Sequence, residues 1–332
     1  MAATIHDVAK LAEVNPSTVS RVINDKASVT KETKEKIFRA MQQLDYHPNS
    51  VARSLASGLS YAIGVVVDAQ NADAFSNVYF SRSLFAIEQV AQAKGYTVII
   101  ANRVMRGGGP ASVENLILQR KVDGLILPPS IARPSLLNRI GKFPYVILGS
   151  PDIDGKDANW VDVNNEQGAG LAMEHLYSQG YRRIAFLCGS EKAGFVKRRL
   201  KGYRSMLSAD SQRMEFPIDG TVDSADSAVK KALALQTPPD AFLCNDNLTA
   251  FGALKAIKAA GLRVPGQIGL VTFDNDPLAP YTEPPLTAIN VDTALLGEES
   301  ARMLFQRIAR RTDGQQTMLC TSLIQRESSC RK

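Results

Sequence analysis

Polar residues that follow apolar, strand-like runs are the first candidates for chemistry in this sequence. Asn245 and Asp246 come directly after the run Ala241–Cys244, and Asp274 follows the next apolar run. Arg199 lies in the polar stretch R-L-K-G-Y. An Arg side chain offers a planar fork of donors, whereas Asn and Asp oxygens accept hydrogen bonds from hydroxyl groups. This combination of residue types suits the recognition of a polyol such as a sugar.

A sugar ring also needs an apolar wall, which an aromatic side chain can supply. Tyr79, Phe80 and the single tryptophan, Trp160, are available for this role. Each candidate has an ordinary structural alternative. The Asn and Asp side chains can cap the helices that follow them, Arg199 can be a solvated charge, and Trp160 can be core packing.

The elements that position these residues are predicted to be alternating strands and helices, which is typical of parallel sheets. A second series of alternating strands and helices begins after Asn159, so we expect two α/β lobes. A ligand cleft is expected between the lobes, outside the carboxyl ends of the strands. The first lobe is predicted to hold the strands Ala62–Val67, Thr97–Ala101, Gly124–Leu127 and Tyr145–Leu148, and the second Val161–Val163, Ile184–Cys188, Ala241–Cys244 and Ile268–Phe273. Helices are expected at Glu166–Ser178, around Lys201–Leu207 and at Asn247–Ala260.

The first sixty residues have a different pattern, which predicts three short helices. Thr4 is followed three residues later by Asp7, which resembles a capping box. Asn15 and Pro16 are typical of a second helix start, and Thr30 of a third. Two short helices joined by a tight turn and supported by a third predict a helix-turn-helix.

The second of these helices has a face that suits the major groove of DNA. Val19 and Val22 form its inward stripe, while Ser17, Thr18 and Arg21 point elsewhere. Arg21 is the only charge between residues 14 and 24, and an Arg can contact a guanine edge or a phosphate. The alternative is a plain three-helix bundle with a solvated face.

Several function classes find no support in the composition. The formal charge is +6, yet residues 1–60 carry eight Lys and Arg against six Asp and Glu, so there is no polybasic arm. No apolar run approaches the roughly 20 residues of a membrane span, and no secretory signal begins the chain. Four scattered Cys, three His and no C-x-x-C argue against a disulfide framework or a metal site. Catalytic motifs are also missing, so we expect a cytoplasmic protein that is not an enzyme and needs no cofactor.

The amino-acid sequence of residues 4–57 resembles that of the lactose-repressor/galactose-repressor (LacI/GalR) family. The segments T-V-S-R-V-I-N and Y-H-P-N-S-V-A-R-S-L form a specific combination. Later motifs agree as well: R-L-K-G-Y, N-D, G-L-V-T-F-D-N, L-R-V-P and P-P-L-T. The resemblance implies that Pro16, Ser17 and Arg21 read the major groove and that Asn15, Thr18 and Ser20 bind phosphate, with Thr4 and Asn24 also at the DNA.

The resemblance further implies a hinge helix in the linker that begins at His47-Pro48. Read by itself, this segment is a short and marginal helix. In the family it orders on DNA and enters the minor groove, where Leu55 would be the apolar wedge that kinks the duplex. The groove would be lined by Asn49, Ala52, Arg53 and Ala56.

For the effector, the resemblance implies a cleft site, and two departures from the family pattern concern the binding residues. Gly149 stands where relatives often have Asp or Arg, and N-V-Y-F, beginning at Asn77, stands where N-P-F-F is common. In the headpiece, Glu13 replaces the usual turn Gly and would have to accept a positive φ. The implied effector set is Asn77, Tyr79, Phe80, Gly149, Trp160, Arg199, Asn245, Asp246 and Asp274.

These observations predict an α/β protein with an N-terminal all-α helix-turn-helix headpiece and a two-lobed domain like that of periplasmic binding proteins, with parallel sheets. The expected boundaries are 1–47 for the headpiece, 48–60 for the hinge and linker, and 61–332 for an effector-binding and dimerisation domain. The expected function is repression at a pseudo-palindromic operator, controlled by a sugar-type effector. One alternative is a repressor of the same family that is controlled by a purine or another non-sugar ligand. A solute-binding protein is a second alternative with less support. We expect a homodimer, with a tetramer as the alternative, and no long leucine heptad follows Ile308 to form a C-terminal tetramerisation coiled coil.

Overall fold

The chain divides into two compact units, Met1–Ser60 and Tyr61–Lys332. We analysed a computed structural model, which describes residues 3–23, 29–47, 54–55, 57–67, 78–102, 112–151, 158–208, 212–310 and 314–331.

The N-terminal unit contains the three helices that the sequence predicts: α1 (Ile5–Leu11), α2 (Pro16–Ile23) and α3 (Lys31–Gln43). The capping box at Thr4 is confirmed, because its side chain accepts from the Asp7 N–H and the Asp7 carboxylate accepts from the Thr4 N–H. Thr30 caps α3 in a similar way. The small core of this unit consists of Val8, Ala9, Ala12, Val19, Val22, Ile37 and Ala40.

The turn between α1 and α2 uses a left-handed residue, as expected from the sequence. Glu13 has φ 55°, and the Val14 N–H donates to the carbonyl of Ala9 at 3.0 Å. This bond satisfies a carbonyl at the end of α1. The tight turn therefore forms with a non-glycine residue in a region that costs an L side chain about 1–2 kcal/mol.

The first lobe of the C-terminal unit is a parallel sheet with helices on both faces. Its strand order is β11-β5-β4-β3-β1-β2. One face packs against α4 and α11, and the other against α5 and α6. The strands are β1 (Ala62–Val67), β2 (Thr97–Asn102), β3 (Gly124–Leu127), β4 (Tyr145–Leu148), β5 (Trp160–Val163) and β11 (Gln316–Leu319), and the helices are α4 (Val78–Ala93), α5 (Ser112–Leu118), α6 (Pro134–Ile140) and α11 (Thr293–Arg310).

The second lobe repeats this architecture with the strand order β12-β10-β9-β8-β6-β7. All neighbouring strands are parallel except β10 and β12, which are antiparallel. Helices α7 and α8 cover one face, and α9 and α10 cover the other. The strands are β6 (Ile184–Cys188), β7 (Glu215–Pro217), β8 (Ala241–Cys244), β9 (Gly269–Phe273), β10 (Thr287–Asn290) and β12 (Ser322–Ile324), and the helices are α7 (Asn165–Ser178), α8 (Gly194–Ser205), α9 (Val222–Leu233) and α10 (Asn247–Ala259). Short 3₁₀ turns occur at Ala279–Tyr281 and Glu327–Ser329.

The point at which the chain changes lobes differs from the prediction. The sequence rhythm assigned Val161–Val163 to the second lobe, but β5 pairs with β4 and β11 in the first sheet. The assignment was wrong because the alternation of strands and helices does not specify which sheet a strand joins. In the described chain the lobes are connected by three crossings, after Val163, after Asn290 and after Leu319.

Helix α8 also differs from the prediction, since it begins at Gly194 rather than near Lys201. Its first residue is preceded by Ala193, which makes no side-chain capping bond, so no capping signal marks the start. Gly202 explains how closely α8 packs on α7, because a Cβ there would overlap the carbonyl oxygen of Glu166. Arg199 therefore lies in the middle of a helix and not in a loop after a strand.

No helix within the described ranges is long and apolar enough to cross a membrane. In the same ranges, no group of three or more His, Cys, Asp and Glu side chains could hold a metal ion. Cys188 and Cys244 are buried free thiols, as their apolar surroundings predict. Burial raises the pKa of the Cys188 thiol to about 11.

Candidate functional site

Helix α2 of the N-terminal unit separates an apolar face from a polar one. Val19 and Val22 are buried, whereas Ser17 and Arg21 are exposed. Residues four apart lie on the same side of a helix, so Ser17 and Arg21 share the outward face. Asn15 is exposed just before the helix, and Pro16, Thr18 and Ser20 are half-buried.

Thr4 holds the start of α1 in place. Its backbone N–H donates to the Asp7 carboxylate at 2.9 Å and its hydroxyl donates to the same oxygen at 2.7 Å. These bonds from Thr4 lower the pKa of Asp7. The Thr4 side chain is exposed and already has a structural role as a cap.

Leu55 is the described residue of the predicted hinge that matters most for the DNA hypothesis. Its side chain is 82% exposed and so makes little contact with the described residues around it. The Gly58 N–H donates to the Ser54 carbonyl at 2.8 Å, which closes a single helical turn around it. The other predicted DNA contacts lie outside the described residues: Asn24, Asn49, Ala52, Arg53 and Ala56.

Arg199 is the centre of the polar cluster in the second lobe. It is only 4% exposed, so the alternative of a solvated surface charge is wrong. Its Nε donates to Asn165 Oδ1 at 2.9 Å, and its Nη1 donates to the carbonyl of Asn245. Its Nη2 lies 3.5 Å from Asp274 Oδ1. Burial lowers the pKa of Arg199, and the carboxylates of Asp274 and Asp246 oppose that shift.

The polar residues after β8 and β9 meet around this guanidinium. Asp246 caps α10 by accepting from the Thr249 N–H at 2.8 Å, so the capping alternative is correct for this residue. Asp274 pairs with Arg199 instead and has φ 61°. Burial raises the pKa of Asp274, and Arg199 opposes the increase. The Asn247 side-chain amide donates to the carbonyl of Asp274 and ties the two strand ends together.

The aromatic surroundings of Arg199 are not those that the sequence suggested. The guanidinium carbon lies 3.8 Å from the ring centroid of Phe273 and 5.0 Å from that of Phe195. Such stacking stabilises a buried cation. Tyr79 lies close enough to Asp162 and Asp274 for their charges to add to the rise in its pKa, which burial dominates. Tyr79 is half-buried on α4 and packs against a core of the first lobe.

The remaining predicted effector residues are Trp160, Phe80, Asn77 and Gly149. Trp160 packs against the core of the first lobe, and Phe80 packs in the other core of that lobe. Asn77 lies outside the described residues. Gly149 is buried after β4 with φ 107°, and a Cβ there would lie 2.7 Å from Pro129 Cγ. A side chain at position 149 would thus be strained as well as crowded.

The two lobes are bridged directly by a residue that the sequence analysis did not select. Arg198, on α8 of the second lobe, donates through Nη2 to Asp162 Oδ2 at 3.0 Å and to the Ser150 carbonyl at 3.2 Å. Asp162 and Ser150 belong to the first lobe, and the Asp162 carboxylate is buried. The local signal was a charge run, in which nothing distinguishes Arg198 from its neighbours.

Two further polar residues of the cluster, Asn165 and Asn247, were also missed. Both stand at the first position of a helix, directly after a residue that caps it. Because Asn near a helix start is common, sequence alone offers no reason to separate these residues from ordinary caps.

Comparisons with known proteins agree with this geometry. The description "Bacterial regulatory proteins, lacI family" matches residues 4–49, and "Periplasmic binding protein-like domain" matches residues 173–329. The HTH-type transcriptional repressor PurR of Mannheimia succiniciproducens is 31% identical over 326 residues, which is 95% of each chain. The chain belongs to the LacI family.

Solved structures of LacI-family members share the whole architecture. The Lac repressor dimer bound to operator and the anti-inducer ONPF has a TM-score of 0.81 at 30% identity and covers all of both chains. A complex of the transcriptional regulator CelR with cellobiose has a TM-score of 0.72 at 30% identity, over 98% of this chain and 99% of that one. The LacI-family resemblance and the fold class predicted from sequence are both confirmed. As a LacI-family protein the chain is a DNA-binding transcriptional repressor with a ligand-binding domain, and not an enzyme.

Proposed function

We propose that this LacI-family repressor works in the cytoplasm as a homodimer on a pseudo-palindromic operator, and that a small carbohydrate bound between its lobes controls operator affinity. The observation that carries the effector assignment is the buried Arg199 cluster, which gathers Asn165, Asn245 and Asp274 beside one guanidinium. Buried polar groups at the carboxyl ends of parallel strands are typical of ligand sites.

For the DNA contacts, the outward face of α2 is assigned to the major groove. Arg21 would read a base edge, with Ser17 beside it and Asn15 and Thr18 at the phosphates. The exposed side chain of Leu55 suits an apolar wedge in the minor groove, because leaving it in water has a free-energy cost that insertion between bases removes.

A sugar is favoured as the effector because the cluster offers hydroxyl-binding acceptors next to a charged donor. The solved CelR relative is described as a cellobiose complex, which supports the same class of ligand. A purine is the second candidate, since PurR of M. succiniciproducens is similar along 95% of both chains. A nucleobase can use the same Arg and Asp groups.

Dimerisation is supported by exposed apolar side chains of the C-terminal unit. Phe85 on α4 is 63% exposed and Tyr281 is 84% exposed, and Leu248 and Leu278 are exposed as well. Apolar groups of this size in water favour association. The relative with a solved operator complex is described as a dimer, and α11 (Thr293–Arg310) is a second candidate element for the interface.

Control of DNA binding would follow from a difference in effector affinity between lobe arrangements. The Arg198–Asp162 bridge joins the lobes directly, and the three crossings connect them covalently. A ligand that binds one arrangement more tightly shifts the population toward it. By the same linkage, the arrangement that favours the operator changes effector affinity by an equal factor.

The test is a titration of the purified protein with a palindromic operator from its own upstream region, in a salt series and with panels of sugars and purines. We expect tight binding that weakens steeply with salt and that one sugar shifts. A shift caused only by a purine would replace the sugar with the second candidate. If the protein binds operator and no ligand changes its affinity, the effector assignment is overturned, whereas the assignment as a DNA-binding repressor stands.

A further inference from the structure

Two buried amide oxygens beside Arg199, Asn245 Oδ1 and Asn247 Oδ1, accept no hydrogen bond from any described residue, and a third oxygen, Asp274 Oδ1, has Arg199 Nη2 at 3.5 Å. The side chains of Asn245 and Asn247 belong to residues that are less than one-tenth exposed. A buried acceptor without a donor is costly and rare in folded proteins, so its presence calls for a partner.

The three oxygens belong to one site. The Asn247 amide donates to the backbone of Asp274, and Arg199 donates to the backbone of Asn245 while its Nη2 lies 3.5 Å from Asp274 Oδ1. That last distance exceeds the roughly 2.7–2.9 Å of a charge-assisted hydrogen bond. Asp274 Oδ1 therefore retains capacity to accept, beside two amide oxygens with the same need.

The principal donor at this site is already in use. Two of the three guanidinium nitrogens of Arg199 donate to protein acceptors, Nε to Asn165 and Nη1 to Asn245, and the third, Nη2, faces the Asp274 carboxylate at 3.5 Å. Phe273 and Phe195 lie over its plane. An anionic ligand would have to displace these acceptors before it could form a paired contact with the guanidinium.

The charges around Asp274 also disfavour an anion. The charged groups that act on its carboxylate are Arg199, Asp246 and Asp276, so two further carboxylates oppose one guanidinium. The neighbouring Arg198 is engaged with the buried Asp162 carboxylate. Bringing another negative charge into this cluster adds repulsion that the paired cations do not cancel.

We propose that this effector site selects an uncharged polyhydroxyl ligand over its phosphorylated or carboxylated forms, and that Asn247 is a specificity-determining residue that accepts a hydrogen bond from one ligand hydroxyl. This inference rests on the sugar effector proposed above. A hydroxyl-rich ligand supplies the donors that Asn245, Asn247 and Asp274 lack, whereas a phosphate brings only acceptors and charge at neutral pH.

The first experiment is calorimetric titration of the full-length protein with glucose, cellobiose and lactose, each paired with its 6-phosphate, and separately with inorganic phosphate and with the purines adenine, guanine and hypoxanthine. We expect at least one neutral sugar to bind and its phosphate ester to bind about 100-fold more weakly or not at all. A phosphate ester that binds as tightly as its parent overturns this inference but leaves a sugar effector. Binding by purines alone, or by no sugar in either form, overturns the sugar assignment and this inference with it.

The second experiment combines Asn247→Ala with deoxy analogues of the bound sugar. If Asn247 accepts from one hydroxyl, the substitution weakens the parent sugar by about 10-fold and leaves the affinity of a single deoxy analogue nearly unchanged. A merely structural role of Asn247 would weaken every analogue equally, and that outcome would remove it from recognition. Asn247→Ser, which keeps a shorter acceptor, provides a second variant in case Asn247→Ala fails to fold.

Gln267→Ala is the matched control. Gln267 is an amide side chain of the same lobe and makes one bond to backbone, accepting from the Arg263 N–H at 3.0 Å. It stands just before β9, at the end of that strand opposite Asp274. We expect Gln267→Ala to bind the sugar and all its analogues with the affinities of the parent protein.

Discussion

Helix α2, which we assign to the major groove, and the Arg199 cluster, which we assign to the effector, place their polar side chains in opposite ways. On α2, Ser17 and Arg21 are exposed on one face of a single short helix. In the cluster, Arg199 is buried and its partners lie up to 75 residues away from it in the sequence, as Asp274 does. One short helix can supply all the residues of a surface that contacts DNA. A site that encloses a small ligand needs residues from distant sequence positions, which only the folded chain brings together.

The difference also concerns what each group contributes to stability. An exposed Arg on a helix face adds little to folding, because water solvates it equally well in both states. A buried Arg with carboxylate and amide partners cannot be removed without leaving those partners unpaired. Substitutions in the two regions should therefore separate loss of function from loss of stability.

The largest effect is expected for Arg199→Leu. Removing the guanidinium leaves the partly buried carboxylate of Asp274 and the Asn245 carbonyl without their cationic partner. We expect a loss of about 3–5 kcal/mol in the free energy of unfolding, together with loss of effector binding. Urea unfolding followed by circular dichroism measures the first quantity. A variant as stable as the parent would show that burial of Arg199 contributes nothing to the fold.

Leu55→Ala should have a large effect on DNA binding and almost none on stability. The side chain is exposed in the absence of DNA, so its truncation removes little folding energy. As a minor-groove wedge it should contribute about 2 kcal/mol to specific binding, or roughly 30-fold in affinity. Electrophoretic or fluorescence titrations with operator and random DNA test this prediction. An equal loss on both DNAs would contradict the wedge role.

Arg21→Ala should relax sequence preference rather than abolish binding. A base-reading Arg typically discriminates against the wrong base pair by about 1–3 kcal/mol. We expect the affinity ratio between the operator and single-base variants to shrink at one position of each half-site. If all variants weaken in parallel, Arg21 contacts phosphate instead, and the slope of log affinity against log salt should then become shallower.

Glu13→Gly provides the smallest and most local test. Glu13 occupies the left-handed region at φ 55°, where glycine avoids the Cβ penalty. The net gain should be about 0.5–1 kcal/mol, since glycine also adds freedom to the unfolded chain. A thermal melt of the full chain detects the shift. A destabilised variant would indicate that Glu13 makes a compensating contact.

Local signals predicted the N-terminal unit well. Thr4 with Asp7, Asn15 with Pro16, and Thr30 each mark a helix start within a few residues, and the structure begins helices at Ile5, Pro16 and Lys31. Caps and periodic apolar residues act over a single turn, so one segment contains all the information. The positive φ of Glu13 was anticipated from the family resemblance instead, because glycine is usual at this turn.

The cluster was predictable only in part. Asn245, Asp246 and Asp274 follow strands that the apolar pattern identifies, and the rule for strand ends brings them to one edge of the sheet. Arg199, Arg198 and Lys197 are indistinguishable as a charge run, and only packing of α8 on α7 buries one of them and directs another across the lobes. Trp160 was attractive by residue type alone, yet it packs in the core of the first lobe.

The sequence by itself determined the helices of the N-terminal unit, the α/β alternation of the C-terminal unit and the family to which the chain belongs, because these depend on local periodicity, capping and motifs. Only the tertiary structure decided that β5 joins the first sheet, that Phe273 and Phe195 flank Arg199, and that Arg198 reaches Asp162. These contacts join residues that are distant in the chain. Their geometry is set by how strands pair and helices pack, which no local pattern specifies.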